Sequence, residues 1–363
     1  MNKIALITCY MGTFPNYFQL FLDSAAKNLD IDFYIFNNGS QSIRTSSNVK
    51  IIPMSLEELN HLASSKLDLQ INITSNYGYK LCDLKPAYGV IFEDYLTHYD
   101  FWGNCDIDVI WGRITRFLTP ETLANFDVFT FEETHFAGHL TIFRNSGVTV
   151  DLFRQTEDYK KVFTDNSHCH NFDECCYRWG KYYSLKELAD SGQPVSIYDI
   201  VMELEAKQQL RLFMKYIMRE YPDPFRFIYR DGVFEDCSSY FGLDSNNNGV
   251  FKDLDTKEEF MYFHLYHVKN DWRFYISQFD YLPSEFTVSS EGIIPGSPNN
   301  LFSTSKWKIQ KALYSGAYLA HSLNELGVSS FLKKCISKLY RRVMRGESLR
   351  LREICRTGSH FPA

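Results

Sequence analysis

The segment Lys3–Cys9 (KIALITC) constrains this chain more than any other. An apolar, β-branched run of that length, bounded by polar and turn residues, is a strand covered on both faces. Pro15–Asn28 then spaces Phe18, Leu20, Phe21, Leu22 and Ala25 as on a helix with a wide apolar face. Ile31–Phe36 (IDFYIF) is a second strand, ended by the turn residues Asn37-Asn38-Gly39. Val49–Met54 is a third, and Ser55-Leu56-Glu57-Glu58 is a capped helix start. This succession of strands and helices predicts an α/β domain on a mostly parallel sheet.

Further along, Asp83 can cap a helix whose first turn holds Pro86 and which runs to about His98. Strands are expected at Phe101–Asn104, Phe126–Phe131 and Leu140–Phe143. Tyr198–Glu220 has the apolar spacing of a long helix, stopped by Pro222 and Pro224. Asp231-Gly232 marks a hairpin, Asn246-Asn247-Asn248-Gly249 another turn, and Glu259–Val268 a last core segment. Ser284–Phe302, rich in Ser, Pro and Gly, reads as a linker before helices over Lys306–Arg352.

The composition, 45% hydrophobic and 23% charged over 363 residues, is that of a globular protein. Met1–Tyr10 lacks the long apolar stretch and cleavage site of a signal peptide, and no run of about 18 apolar residues occurs, so a cytoplasmic protein is expected. The nine cysteines, odd in number and irregular in spacing, suit free thiols in a reducing compartment. Nine basic and two acidic residues lie between Lys333 and Arg356, against 29 basic and 42 acidic in the remainder. An acidic body argues against nucleic-acid binding. Residues 331–356 interleave Phe331, Leu332, Ile336, Leu339, Tyr340 and Val343 with Lys and Arg. Such a basic amphipathic helix can contact an anionic membrane surface, or pack on the body with its charges solvated. Neither a Gly-x-Gly-x-x-Gly nor a Gly-Lys-Ser/Thr loop is present. His168-Cys169-His170 with Cys175-Cys176 lacks the paired spacing of a structural zinc site.

The sharpest chemical feature is Asp106-Ile107-Asp108, directly after the aromatic strand. On extended backbone, residues i and i+2 face one side, so both carboxylates can address one cation. Magnesium and manganese favour carboxylate oxygens. The pair lies between Phe101/Trp102 and Val109/Ile110/Trp111, and carboxylates among apolar residues are costly unless a metal or donors compensate. A cation held there would neutralise charge developing on a departing diphosphate. The same pair would serve a nucleotidyltransferase or a metal-dependent hydrolase, and a fold kept without turnover would leave a non-catalytic nucleotide-sugar binder.

The strings Tyr79–Gly89 (YKLCDLKPAYG) and Tyr99–Val109 (YDFWGNCDIDV) together resemble a bacterial family of GT-A-type glycosyltransferases found among genes for surface polysaccharides. Cys9–Phe18 (CYMGTFPNYF) is similar to that family's first strand and loop. The likeness covers Met1–Asp173 well and is looser beyond. It implies an α/β, GT-A-like nucleotide-diphospho-sugar transferase fold, a Rossmann-like mixed sheet flanked by helices. With the linker and helices read above, the expected division is a GT-A-like catalytic domain over 1–285, with a nucleotide-binding half 1–110 and an acceptor half 111–285, a linker 286–305 and a basic helical extension 306–363. It also implies transfer, assisted by Mn2+ or Mg2+, from a nucleotide-diphosphate sugar, UDP-sugars foremost, to a glycan or lipid-linked acceptor of capsule, O-antigen or lipopolysaccharide synthesis. Work on a lipid-linked acceptor would suit a peripheral place at the inner face of the cell membrane.

By the same resemblance, Ala137-Gly138-His139 matches an acceptor-side glycine loop. Phe172-Asp173-Glu174 matches an acid at a helix start beneath the donor sugar, and His264 or His267 the histidine completing the metal site. Lys80 and Lys85 are point charges suited to a diphosphate, with Asp83 between them. Tyr10, Asn37 and Asn38 follow the first two strands, where ligands of open α/β sheets gather. Each has a plainer reading: Asp173 and Glu174 as caps, the histidines as core residues, the lysines as solvated charges.

Overall fold

The computed structural model describes residues 2–220 apart from 180 and 182, then 227–236, 239–243, 249–253, 259–271, 274–276, 283–289, 292–296 and 311–312. The basic helix expected over 331–356 and Asn246–Asn248 lie outside the described residues. The chain forms two compact units, one of Met1–Met218 with Met261–His264, the other of Arg219–Phe260 with Leu265–Ala363.

In the first unit, β1 (Ile4–Cys9), β2 (Ile31–Asn37) and β3 (Val49–Pro53) pair in parallel. With β4 (Phe101–Cys105), β6 (Val128–Thr130), β7 (Leu140–Arg144) and β8 (Leu212–Met214) they make a seven-stranded sheet in the order β3-β2-β1-β4-β7-β6-β8. Here β5 denotes Val109–Trp111, which stands outside this sheet. Only β7 runs against its neighbours. The continuous burial of β1 and β4 follows from apolar side chains on both faces of the sheet. One face carries Trp102, stacked on Phe143 at 4.6 Å, and the other carries Phe33 and Trp111. The predicted α/β class with a mixed sheet and flanking helices is therefore the observed one.

Local details follow from side-chain chemistry. α1 (Phe18–Ala25) ends short of Asn28, whose amide bonds Ser24 O and Gly112 O and so turns the chain. α2 (Leu56–Leu67) begins with the expected capping box of Ser55 and Glu58. The helix expected from Asp83 is instead a 3-10 stretch, Ser75–Ala87, followed by two single turns, α3 (Tyr88–Ile91) and α4 (Glu93–Leu96). Asp83 does not cap it, because its carboxylate accepts from His170 N and Phe172 N of a distant segment. Further helices among the described residues are α5 (Pro120–Asn125), α6 (Asp158–Thr164), α7 (Leu185–Ser191) and α8 (Ile197–Ala206).

The long helix expected over Tyr198–Glu220 stops at Ala206. Gln208 takes a left-handed φ of 56°, and the chain returns as β8 along β6. Phe213 there packs on Phe126, Phe129 and Phe131. Burying such a ring contributes roughly 1.5–3 kcal/mol, enough for tertiary packing to override a helical pattern.

The second unit carries a six-stranded sheet. Its hairpin turns at Asp231-Gly232, both at positive φ, as the sequence predicts. The stretch read as a linker contributes two of its strands, Glu285–Ser289 and Gly292–Pro295. Phe286, Val288 and Ile293 are fully buried there, an alternation hidden among Ser, Pro and Gly. No helix among the described residues is long and apolar enough to cross a membrane.

Candidate active site at the carboxyl end of β4

β4 is fixed by parallel pairing to β1 and antiparallel pairing to β7. Asp106 N donates to His139 O at 3.0 Å, so the chain leaves the sheet at a defined point. Ile107 is buried, the Asp106 side chain is 36% exposed and Asp108 is buried. β5 runs antiparallel to the strand Tyr262–His264, with His264 opposite Val109. That register brings His264 Nε2 to 3.5 Å from Asp108 Oδ2. One ligand atom from each of Asp106, Asp108 and His264 lies within 4.8 Å of the others. Two carboxylate oxygens and one imidazole nitrogen on a strand-built frame form a donor set that could hold a divalent cation.

His139 packs behind this set. Its ring stacks on His264 with centroids 3.9 Å apart, and its Nε2 lies 2.9 Å from the Tyr262 hydroxyl. Burial, reinforced by neighbouring His264, holds the His139 pKa well below its ordinary 6.5. The imidazole is thus neutral at neutral pH and serves as packing for His264.

A second set of charges adjoins the first. Lys85 Nζ lies 2.9 Å from Asp106 Oδ1 and 3.4 Å from Asp173 Oδ2, and donates to Gly138 O at 2.8 Å. Burial acts to discharge this ammonium, but Asp106, Cys82 and Asp173 outweigh it and hold its pKa well above 10.5. Asn104 Nδ2 also donates to Gly138 O, at 2.8 Å. Asp173 is buried, and its Oδ1 has no hydrogen-bond partner. Burial raises its pKa well above 3.8, with Lys85 pulling the other way and Glu174, Asp83 and Asp106 adding to the rise. Glu174 accepts from Asn171 Nδ2 at 2.7 Å and from Gly138 N at 3.2 Å. A Cβ on residue 138 would stand 2.5 Å from Glu174 Oε1 and 2.8 Å from Asp173 Oδ2, so any larger residue there displaces these two carboxyl groups. Asp173 and Glu174 lie in consecutive turns, not at the expected helix start. Asn171, Cys176 and Tyr177 all take positive φ there.

Other expected ligand contacts have different employment. Lys80 is buried, its ammonium committed to Asp83 Oδ2 at 2.8 Å and to Val162 O. This pair braces the Cys169–Phe172 segment and offers no free charge to a diphosphate. Asn37 is buried, with its amide on Tyr10 O and Gly12 O and its oxygen accepting from Gly39 N. Asn38 Oδ1 accepts from Gly12 N at 2.6 Å, so both asparagines staple the loops after β1 and β2. The Tyr10 ring stacks on Phe14 at 5.5 Å. His267 belongs to the second unit, its Nε2 3.3 Å from Glu220 Oε2. Sequence reading overlooked Asn104, Asn171 and Tyr262. Two carried a signal: Asn104 is a polar residue inside an apolar strand, and Tyr262 alternates with His264.

The sequence model of a family described as "Family of unknown function (DUF6625)" matches residues 6–296. No curated protein matches the chain. Among solved structures, it is similar to galactosyltransferase LgtC in complex with donor and acceptor sugar analogs, at 13% identity and a TM-score of 0.31, over 60% of this chain and 76% of that one. Mouse xyloside xylosyltransferase 1 in its apo form gives 9% identity and a TM-score of 0.34, over 60% and 87%. The apo-form glycosyltransferase GlyE of Streptococcus pneumoniae TIGR4 gives 13% and 0.30, over 60% and 55%. Likeness of that degree fixes neither substrate nor chemistry.

Proposed function

We propose that this chain, which belongs to the DUF6625 family, is a metal-dependent glycosyltransferase of the GT-A type. It would take a sugar from a nucleotide-diphosphate donor, a UDP-sugar foremost, to a glycan or lipid-linked acceptor of bacterial surface polysaccharide synthesis. The observation that carries this reading is the convergence of Asp106, Asp108 and His264 within 4.8 Å. It joins the resemblance borne by residues 79–89 and 99–109.

The three side chains fit Mn2+ or Mg2+ by their donor chemistry, manganese the better because one donor is imidazole. Such an ion, when bound, supplies a Lewis acid facing the leaving diphosphate. The chain's own residues do the rest. Lys85 orients Asp106 and offsets the charge of Asp173. Asp173 would accept a sugar hydroxyl through its unpartnered Oδ1, which regains the hydrogen bond that burial denies it. Glu174, held by Asn171 and Gly138, would flank that hydroxyl. The exposed rings of Tyr177 and Trp179, with His135 against Trp179 at 4.9 Å, offer an amphipathic surface for an acceptor sugar.

The test is product analysis with a panel of nucleotide sugars, with and without manganese. Release of nucleoside diphosphate together with a glycosylated product supports the reading, and release of pyrophosphate replaces it with nucleotidyl transfer. Asp108→Ala is expected to lower turnover by about a thousandfold or more while the chain stays folded. Undiminished turnover in that variant sinks the role. A thermal shift with donor but no product, under every acceptor tried, would leave a binding protein.

A further inference from the structure

The chain carries a second cluster of metal-ligand type, outside the site at β4. Asp165 closes α6, and the loop after it supplies His168 and His170. His170 Nε2 lies 2.8 Å from Asp165 Oδ2, and His168 Nδ1 lies 3.4 Å from the same oxygen. The two rings face one another with centroids 4.0 Å apart, and all three ligand atoms lie within 4.8 Å of each other. The other oxygen, Asp165 Oδ1, is anchored by Ser167 N at 2.8 Å and Ser167 Oγ at 2.6 Å. The carboxylate is therefore oriented by one oxygen and presents the other to His170 at 2.8 Å, while His168 Nδ1 lies 2.9 Å from Ser167 Oγ, a contact that a bound ion would replace.

We infer that Asp165, His168 and His170 bind a borderline first-row divalent cation, zinc being the ion the site is built to take. Two imidazole nitrogens and one carboxylate oxygen are a known three-ligand set for zinc, and imidazole disfavours magnesium or calcium. Tetrahedral zinc with bonds of about 2.1 Å sets its donors roughly 3.4 Å apart; the Asp165–His168 separation of 3.4 Å matches this, and the Asp165–His170 separation of 2.8 Å must widen. His168 is 56% exposed, which leaves a side open to water. The thiol between the two histidines takes no part. Cys169 is buried and turned to Asp83 Oδ1 at 3.6 Å. A motif whose cysteine spacing does not suit zinc thus gains its third ligand from Asp165, three residues before His168, rather than from a cysteine.

The consequence is mechanical. His170 N donates to Asp83, and Phe172, whose N–H also donates to Asp83, precedes Asp173. An ion at Asp165, His168 and His170 would tie the end of α6 to the turn that presents Asp173 and Glu174.

The experiment uses the full chain, stripped of metal, carrying Asp106→Asn and Asp108→Asn so that the cluster at β4 loses both its carboxylates. Zinc titration by calorimetry should still find a bound ion, with a raised thermal midpoint as mass action requires. Adding His168→Ala, an exposed change that the fold tolerates, should weaken binding at least about tenfold, since even outer-shell losses cost that much. His170→Ala should do the same. Cobalt in place of zinc should give tetrahedral visible bands without a thiolate charge-transfer band. Affinity unmoved by His168→Ala, or a thiolate band, overturns the assignment. Because the background variant has no carboxylate pair at β4, either outcome is independent of the transferase reading.

Discussion

Two buried lysines five residues apart, Lys80 and Lys85, hang on the same 3-10 stretch and do opposite things. Lys80 closes on Asp83, and the remaining capacity of Asp83 goes to the N–H groups of His170 and Phe172. No polar atom of either side chain is left unpartnered. Lys85 meets Asp106, which is 36% exposed, and Asp173, which has a buried oxygen with no partner. The closed pair is a brace. The open set carries unsatisfied capacity that a stable fold has no use for and a bound ligand would complete. Sequence spacing alone makes the two lysines equivalent candidates, and the satisfaction of their partners separates them.

That contrast is broken most directly at Asp83. Asp83→Ala leaves a buried ammonium without its anion, and the expected loss is roughly 3–5 kcal/mol of folding stability. Urea denaturation measures it, and a loss below about 1 kcal/mol would place Lys80–Asp83 among weak pairs and undo the distinction. Asp106→Asn should behave in the reverse way. It is 36% exposed and Lys85 keeps Asp173 as a second anion, so the stability loss should be well below that of Asp83→Ala while turnover falls about a hundredfold, as expected for a group facing developing charge. Steady-state rates with the donor found by screening would test this. A variant with normal turnover and poor stability would make Asp106 another brace.

How much of this was legible beforehand depended on whether the signal was local. β1 to β3, the capping box at Ser55 and the hairpin at Asp231-Gly232 follow from patterns within a dozen residues, and all are present. Local spacing predicts one helix over Tyr198–Glu220, but Gln208 turns left-handed and Phe213 finds aromatic partners on β6 and beside it, which no local spacing reveals. Ser284–Phe302 has the composition of a linker because the core residues of its two strands are interrupted by turn formers. At the site, Asp106-Ile107-Asp108 announced itself by two acids inside an apolar context. The choice between His264 and His267 needed the register of β5 against Tyr262–His264, which places only the former beside Asp108. The brace at Asp83 was invisible for the same reason, since its partners lie 87 and 89 residues away.

Gly138 sharpens the comparison from the backbone side. A methyl group there meets both Glu174 and Asp173, so Gly138→Ala should cost about 1–3 kcal/mol by overpacking. It should also lower turnover more than the stability loss explains, because the displaced groups belong to the open set. Equal losses in Gly138→Ala and a control alanine substitution remote from the site would assign the glycine to packing alone.

The smallest effect is a pH dependence, and its sign is the informative part. The Asp173 carboxyl has its pKa raised well above 3.8, burial outweighing the attraction of Lys85. Near pH 3.8 and upward the unfolded chain releases this proton while the folded chain still holds it. Folding stability therefore falls as pH rises through that window, and the loss is complete above the folded-state pKa. Lys85 stays charged throughout, its own pKa being held well above 10.5. Asp173→Asn cannot titrate, so its stability advantage over the natural chain should be least near about pH 4 and should grow toward about pH 7. Urea unfolding at a series of pH values reads that difference. An advantage that shrinks with rising pH would mean that Lys85 holds Asp173 as a satisfied anion, and Lys85 would then be a brace of the same kind as Lys80.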